Sequence, residues 1–289
     1  MQFHAVIPAI FTALTLVGPT VAGGPDFLDD FDDNSFIDNS PVTWVPTPAL
    51  PANMAIVDGD LTLTINPVFP YVASAMALSN FGSGASIRAQ MAVSSCPARS
   101  VVAFTDASIG LQGYIAVLRS CSRNYIELFR IDGTTVLNPI GGGPLLWPYG
   151  PDVEHYIQLD VFDGVVSMRV WRPGEPFPAP AISAVDTNYP SGVPNLAVQD
   201  LGEGNCSGDG DLTNATSHVR FVKASSTPLT HSGIGDISAD GAVNIEDLLA
   251  AIAAWGSCPP APAQCPADIT GDGSVNIADL LLVIANWGS

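Results

Sequence analysis

The chain has 289 residues, with 28 acidic side chains against nine of Lys and Arg, so its formal net charge at pH 7 is −19. This charge argues against nucleic acid or anionic lipid as a partner, because both require clusters of basic side chains. The length allows one large domain and a smaller one, and a hydrophobic fraction of 47% supplies ample material for a core. An acidic surface serves either solubility or binding of divalent cations, and composition alone leaves both open.

The N-terminal region contains an apolar run at residues 6–17. A run of this length is too short to cross a bilayer and is typical of the hydrophobic region of a signal peptide. Small residues up to Ala22 provide a cleavage site, although no basic residue precedes the run. We therefore predict a signal peptide over residues 1–22 and a secreted or cell-surface location, with a buried N-terminal strand as the alternative. No other segment predicts a membrane span.

Five cysteines in an exported chain allow disulfides and leave at least one cysteine unpaired. Cys258 and Cys265 flank a Pro-rich segment and could close a small local loop. Cys96 and Cys121 lie near predicted strands and are a second plausible pair, which leaves Cys206. The sequence does not fix the connectivity, so these pairings are hypotheses.

Residues 54–223 have the texture of a β-sheet protein. Asp-Gly pairs at residues 58–59, 132–133 and 163–164 each lie between strand-like runs and suit two-residue type I′ turns. Many short strands without a convincing helix predict a mainly β fold, an antiparallel jelly-roll β-sandwich over residues 23–225. The Pro-rich pieces TWVPTPALP and RPGEPFPAPAIS are expected as edge loops. Further strand candidates are SIRAQMAVS, SVVAFTD, GYIAVLRS, NLAVQD and HVRFVKAS.

After a predicted linker at residues 226–234 the sequence repeats itself. DISADGAVNIEDLLAAIAAWG begins at Asp236, and DITGDGSVNIADLLLVIANWG begins at Asp268, 32 residues later. Each copy fits a twelve-residue calcium loop, with oxygen ligands at positions one, three, five, seven, nine and twelve and a Gly at position six. The predicted ligands of two Ca²⁺ ions are Asp236, Ser238, Asp240, the Ala242 carbonyl, Asn244 and Asp247 in the first loop, and Asp268, Thr270, Asp272, the Ser274 carbonyl, Asn276 and Asp279 in the second.

The calcium affinity is expected to be modest. Each loop offers three carboxylates and ends in a short Asp where a sensor loop has a Glu. Such affinity suits calcium-rich surroundings outside a cytosol, and Mg²⁺ is the less favoured ion because it needs a tighter octahedron.

Each loop is followed by apolar residues at helical spacing. The resulting helices are expected to end at Gly256 and Gly288 and to pack face to face in a small all-α domain over residues 235–289. Bound metal would stabilise so small a core. The two stripes are Ile245, Leu248, Leu249, Ile252 and Trp255, and Ile277, Leu280, Leu281, Ile284 and Trp287.

The duplicated "DGxVNxxDL" unit resembles the type I dockerin domain, which occurs at the C-terminus of secreted polysaccharide-degrading proteins. The resemblance implies attachment to a cohesin domain on a scaffold. In that family loop positions ten and eleven help to choose the cohesin, often with hydroxyl side chains. Here these positions hold Ile245-Glu246 and Ile277-Ala278, so the implied partner is a cohesin-like protein or another surface protein.

The large domain is similar to the concanavalin A-like lectin/glucanase superfamily, including laminin-G-like domains. The resemblance rests on GYIAVLRS, NYIELFRIDG, the hairpin YIQLDVFDGVVSMRVW and the closing strand HVRFVKAS. It implies binding of carbohydrate or surface material. Trp147 and Tyr149, in GGGPLLWPYG, could stack on a sugar ring, and the acidic stretch 200–211 could hold a further cation.

Retaining glucanases of this superfamily carry an E-x-D-x-x-E arrangement, which this chain lacks. Glu127 and Asp160 are the only strand-embedded acids that suit catalysis, and outward-facing polar positions are the alternative for both. The chain also has no G-x-S-x-G and no H-E-x-x-H motif. The favoured hypothesis is a non-catalytic secreted binding protein linked to polysaccharide. The alternatives are a glycoside hydrolase that cleaves O-glycosyl bonds in polysaccharide catabolism and a purely structural surface protein.

Overall fold

The structure, a computed structural model, describes most of the chain from residue 26 onwards. The described ranges are 26–31, 33–38, 41–47, 52–65, 72–94, 98–106, 112–119, 124–133, 137–147, 150–173, 175, 177–200, 215–229, 234–237, 243–259, 265–270 and 273–288. The predicted signal peptide, Cys96, Cys121, Cys206 and residues 201–211 of the acidic stretch lie outside them.

Two antiparallel sheets form a sandwich, which confirms the predicted jelly-roll class. Sheet A contains β1 (Phe27–Asp29), β3 (Asn53–Val57), β4 (Asp60–Thr64), β6 (Ala85–Val93), β11 (His155–Phe162), β12 (Val165–Trp171), β13 (Ile182–Val185) and β15 (Thr216–Ser225). Its order is β13-β12-β11-β6-β15-β4-β3, with β1 beside β15.

Sheet B faces sheet A across the core. It contains β2 (Trp44–Pro46), β5 (Val72–Ala77), β7 (Ala98–Thr105), β8 (Gln112–Arg119), β9 (Tyr125–Asp132), β10 (Leu137–Pro144) and β14 (Val193–Asp200). Its order is β10-β9-β8-β7-β14-β5-β2. Because strand side chains alternate between faces, every second residue points into the sandwich. On β6, for example, Ile87 and Ala89 lie in the core, whereas Arg88 lies on the outer face of sheet A.

Strand pairing is confirmed for all three predicted hairpins, but the two-residue turn is confirmed for only two of them. Asp58-Gly59 joins β3 to β4, and Asp163-Gly164 joins β11 to β12, with positive φ at all four residues. The two-residue turn predicted at Asp132-Gly133 is wrong, because Asp132 is the last residue of β9 and β10 starts only at Leu137. Asp132 stays in the strand because it pairs with Gln112 on the neighbouring β8, so the connection is longer than two residues.

The first four residues of the Gly-rich stretch GGGPLLWPYG belong to strand β10. Gly142 pairs with Glu127 of β9. A Cβ atom at Gly141 would lie 2.7 Å from the Ile182 side chain, and one at Gly142 would lie 2.9 Å from the Tyr125 ring. These close approaches explain why an edge strand carries glycines instead of β-branched residues.

The small C-terminal module contains α1 (Ile245–Ala253), β16 (Gly256–Ser257), β17 (Ser274–Val275) and α2 (Ile277–Ala285). Both helices stop before the predicted glycines, with C-caps at Ala254 and Asn286. The core of the module is formed by Val243, Ala251, Ile269 and Val283, and Leu248 and Leu280 pack against it.

The predicted face-to-face packing of the apolar stripes is therefore largely wrong. The helices bury the smaller Ala251 and Val283 together with the carboxylates Asp247 and Asp279. The longer apolar side chains lie about half exposed. Periodicity ranks residues by hydrophobicity alone, so it does not predict that the loops turn the polar ligand face of each helix inward. The exposed set is Ile245, Leu249, Ile252, Trp255, Ile277, Leu281, Ile284 and Trp287.

The module contacts the outer face of sheet A. The Lys223 ammonium donates to the Ile269 carbonyl at 2.9 Å, and Ile234 packs against both the module core and a cluster that contains Phe221. Leu229, in the predicted linker, is buried, and its carbonyl accepts a hydrogen bond from Gln158 at 2.9 Å. Part of the predicted linker is thus packed on the sandwich.

Asp29 gives the sandwich a specific dependence on pH. Its carboxyl is buried and accepts hydrogen bonds from the Trp44 indole at 2.8 Å and the Phe31 amide at 3.1 Å. Burial outweighs these bonds and raises the pKa of Asp29 from 3.8 to about 7. A raised carboxyl pKa stabilises the folded state fully below about pH 4 and loses that contribution as the pH rises through 7.

We therefore expect Asp29→Asn to flatten the dependence of stability on pH. In the unaltered chain Asp29 makes the free energy of unfolding fall between pH 4 and pH 7, and the neutral amide removes this component. Urea unfolding at several pH values with calcium held constant measures the slope, and Asp38→Asn at an exposed position is the matched control. An identical slope in the Asp29→Asn variant and the unaltered chain would show that this carboxyl does not titrate in that range.

Candidate metal centre

The second predicted calcium loop is closed by its own acidic residues. One oxygen of the buried Asp279 accepts from the amides of Ile269 at 2.8 Å and Thr270 at 2.9 Å, and from the Thr270 hydroxyl at 3.1 Å. Asp268 accepts from the Gly273 amide at 2.9 Å. The hydrogen bond from the Ile269 amide thereby brings the last predicted ligand, Asp279, close to the first, Asp268. Ser274 and Asn276 are also described, whereas Asp272 lies outside the described residues.

The first loop is described only at its two ends. Asp236 and Asp247 are buried, with exposures of 1% and 0%, and Asn244 is half-buried. The predicted ligands Ser238, Asp240 and Ala242 lie outside the described residues. The ends of the two loops are equivalent, since Asp247 and Asp279 occupy the same place in the first turn of their helices.

Two of the predicted ligands in each loop also form a helix cap. Asn276 is the N-cap of α2 and accepts from the Ala278 amide at 2.8 Å, while Asp279 accepts from the Asn276 amide at 2.8 Å. Asn244 and Asp247 form the same capping box on α1. The calcium-loop pattern predicts only a ligand role for these residues, although Asn followed by Asp three residues later also resembles a capping-box pattern. One pair of side chains therefore orders both the loop and the helix.

The described donor set suits a hard cation. All described predicted ligands offer carboxylate, amide, hydroxyl or carbonyl oxygens, which are the ligands that calcium takes in proteins. Buried carboxylates are costly unless a positive charge compensates them. Asp236, Asp247 and Asp279 are all buried, and a bound divalent cation would supply that compensation. The residues present therefore fit calcium.

A second group of metal-ligand atoms adjoins the second loop. One atom each from Cys258, Cys265 and Asp268 lie within 4.8 Å of one another. The two sulfur atoms are, however, joined in a disulfide with an S–S distance of 2.11 Å. Because a thiolate is the form of cysteine that binds a metal, this group is not a metal site in the disulfide-bonded chain.

The two candidate catalytic acids lie on opposite sides of the sandwich. Glu127 is on the outer face of sheet B and forms an ion pair with Arg119. Asp160 is on the outer face of sheet A and forms an ion pair with Arg169. Two packed sheets lie about 10 Å apart, so these carboxylates exceed the separation of about 6.5–9.5 Å that inverting hydrolysis requires. They cannot act as one acid–base pair.

The predicted sugar-stacking residue Trp147 is already engaged. Its indole donates to the His155 ring at 2.8 Å, the two rings are stacked, and the Arg172 guanidinium lies 5.6 Å from the indole centroid. Burial lowers the pKa of His155 to about 4, so this ring is neutral and accepts the hydrogen bond. Stacking on a sugar would require Trp147 to leave these contacts. Tyr149 lies outside the described residues.

The outer face of sheet A carries a buried polar network that the sequence analysis missed. The fully buried Arg88 donates to the Gln158 side chain at 2.9 and 2.7 Å, and its guanidinium lies 5.1 Å from the Trp171 ring centroid and 5.4 Å from that of Phe177. Gln158 in turn donates to Asp160 at 2.8 Å. Alternation along the strands predicts that these residues face outward. They are covered by residues from other parts of the chain, among them Phe177 over Arg88 and Leu229, whose carbonyl accepts from Gln158.

The fold and the candidate centre together define the class: a β-sandwich followed by a duplicated loop–helix module with the ligand chemistry of a calcium site. Residues 234–287 match the sequence model of the dockerin type I domain. The chain thus carries a dockerin type I domain, as the repeat predicted. Dockerin type I domains bind calcium. No curated protein matches the chain.

Several solved structures are similar to the chain at low sequence identity. A β-glucanase from Bacillus licheniformis is 13% identical with a TM-score of 0.49, covering 71% of this chain and 99% of its own. A lichenase derived from a mouse hindgut metagenome is 15% identical with a TM-score of 0.49, covering 70% and 99%. Carbohydrate binding module CBM66 from Bacillus subtilis is 12% identical with a TM-score of 0.48, covering 63% and 94%.

Proposed function

We propose that the protein is a secreted modular protein in which a calcium-binding dockerin module attaches a β-sandwich to a protein partner. The sandwich is proposed to bind polysaccharide or other surface material. The match of residues 234–287 to the dockerin type I domain carries this proposal. In the described residues, neither helix is long and apolar enough to cross a membrane, and an exported attachment protein needs no such helix.

The attachment surface proposed here consists of the exposed apolar stripes on the two helices. The stripe of α1 contains Ile245, Leu249, Ile252 and Trp255, and that of α2 contains Ile277, Leu281, Ile284 and Trp287, each about half exposed. Large contiguous apolar patches on a soluble domain indicate a protein-binding site. The four equivalent positions of the two repeats carry the same residues, so either helix offers a partner the same set of apolar side chains.

Calcium is proposed to order this surface. The six predicted ligands of each loop would hold one ion, giving two ions per chain. Two predicted ligands in each loop also cap the helix that follows it. These residues are Asn244 and Asp247 at α1, and Asn276 and Asp279 at α2. Calcium in the loops would therefore fix the helices that carry the apolar stripes.

The attachment role is tested by substitutions in the stripes. Leu249→Glu combined with Leu281→Glu is expected to weaken calcium-dependent binding to a panel of cohesin domains by at least about 100-fold, because buried interface anchors dominate affinity. Stability should change little, since both side chains are 56–57% exposed. Biolayer interferometry with calcium and with EGTA measures the binding. Val185→Glu, the same kind of substitution at an apolar residue of the sandwich that is 83% exposed, is the matched control.

Unaltered binding by the double variant would show that another surface carries the attachment. If no cohesin domain binds the unaltered chain, the partner is of a different kind, and the proposal of a cohesin-type partner fails.

The role of the sandwich is tested with polysaccharides. We expect the chain to be retained on one or more insoluble polysaccharides without releasing reducing sugar. Release of reducing sugar that disappears in Glu127→Gln or Asp160→Asn would establish the glycoside hydrolase alternative. Retention that persists in a chain truncated after residue 229 would assign binding to the sandwich.

A further inference from the structure

The segment that joins the two repeats is bonded to the second calcium loop at both of its ends. The Cys258 amide donates to the Gly273 carbonyl at 2.9 Å, and the Asp268 amide donates to the Cys265 carbonyl at 3.0 Å. The Cys258–Cys265 disulfide joins these two anchoring residues. Just before Cys258, β16 pairs with β17 through Ser257 and Ser274. The disulfide thus clamps together the start and the middle of the second loop.

The disulfide also contacts a predicted calcium ligand. The sulfur of Cys258 lies 3.4 Å from one carboxylate oxygen of Asp268, the first ligand of the second loop. The same oxygen accepts from the Gly273 amide at 2.9 Å. The turn of its own loop therefore holds Asp268 by a hydrogen bond, and the disulfide sulfur packs against the same carboxylate.

The first loop has no equivalent clamp. The residues 32 positions before Cys258 and Cys265 are Ser226 and Gly233, so no disulfide can form at the corresponding place. The two calcium loops are otherwise closely matched. Four of the six predicted ligand positions, one, five, nine and twelve, carry the same residue type in both loops. Position three changes from Ser238 to Thr270, and position seven, which acts through its carbonyl, changes from Ala242 to Ser274. The clamp is the main chemical difference outside the loops themselves.

We propose that the Cys258–Cys265 disulfide is a positioning element for the second calcium loop and makes that loop the tighter of two unequal calcium sites. This inference rests on the proposed function, in which both loops bind calcium. A loop whose ends are already held loses less conformational entropy when its oxygens close around an ion, so its affinity rises. The first loop has no cysteines at the positions that correspond to Cys258 and Cys265.

The proposal is tested by calcium titration calorimetry on the full chain with one loop inactivated at a time. Asp240→Ala and Asp272→Ala remove the predicted ligand at position five of the first and second loops. In the Asp240→Ala chain, adding Cys258→Ser and Cys265→Ser is expected to weaken the remaining calcium site by about tenfold. In the Asp272→Ala chain the same two serines are expected to leave the affinity within about twofold.

The possible outcomes separate the proposed role of the disulfide from the proposed calcium binding. Equal weakening in both backgrounds, or loss of binding in both, would show a general loss of module structure and overturn the assignment of the disulfide to the second loop. Unchanged affinity in the Asp240→Ala background would also overturn it. If the unaltered chain binds no calcium, the proposed function fails first. If it binds two ions and the serines have no effect, only the present inference fails.

Discussion

Asp279→Ala is expected to abolish calcium binding at the second loop and to destabilise α2 by about 3 kcal/mol. The carboxylate is fully buried, and its two oxygens accept four hydrogen bonds, from the amides of Ile269, Thr270 and Asn276 and from the Thr270 hydroxyl. Alanine leaves these donors without their acceptor and removes the helix cap together with the ligand. Hydrogen exchange of the α2 amides, followed by mass spectrometry with and without calcium, measures the effect.

Glu246→Ala is the control for this variant, since Glu246 is exposed in the first turn of α1 and is not a predicted ligand. It should leave the exchange of α2 unchanged. If the amides of α2 remained as protected in Asp279→Ala as in the unaltered chain, the double role of this carboxylate as ligand and cap would be contradicted.

Arg88→Ala is expected to lower the free energy of unfolding of the sandwich by about 3–4 kcal/mol. The arginine is 2% exposed and lies between the rings of Trp171 and Phe177. Truncation opens a cavity and removes the contacts with both rings. It also removes the guanidinium that donates to the side-chain oxygen Oε1 of Gln158. The midpoint of urea unfolding, monitored by circular dichroism of the strands, measures the loss.

Arg88→Met tests how much of this loss in the free energy of unfolding comes from packing and how much from the guanidinium charge. Methionine fills much of the same volume without the guanidinium, so we expect a loss of only about 1–2 kcal/mol. Arg220→Ala, at an exposed residue paired with Glu154, should change stability by less than about 0.5 kcal/mol. Equal effects of Arg88→Ala and Arg220→Ala would show that the buried network does not stabilise the sandwich.

Local sequence signals predicted the fold well where they are strong. Alternation and β-branched composition located β6, β7, β8, β14 and β15, and Asp-Gly turns located two hairpins. The short strands β1 and β2 were missed, because they pair with β15 and β5, which lie further along the chain. β13 pairs with the preceding strand β12 and was missed because its first residues belong to the Pro-rich stretch that was expected to be an edge loop. The error at Asp132 arose because pairing with Gln112 of the preceding strand β8 keeps Asp132 in β9, which the Asp-Gly pattern does not show.

The candidate centre was predictable because the ligand pattern is local and occurs twice. The sequence did not predict which face of each helix points into the core of the module. Hydrophobicity favours burial of Leu249 and Leu281, yet the loops require Asp247 and Asp279 to point inward, and the leucines are left exposed. The contacts of Trp147, Glu127 and Asp160 likewise depend on partners from other strands, so their surroundings could not be inferred from spacing.

The central claim, that the duplicated module is a calcium-binding tether, is tested most directly by calorimetric titration of the full chain with Ca²⁺ after treatment with EGTA. The account predicts binding of two ions per chain, with loss of one ion in Asp240→Ala and of the other in Asp272→Ala. Absence of binding heat in the unaltered chain, or a stoichiometry that neither substitution changes, would contradict it.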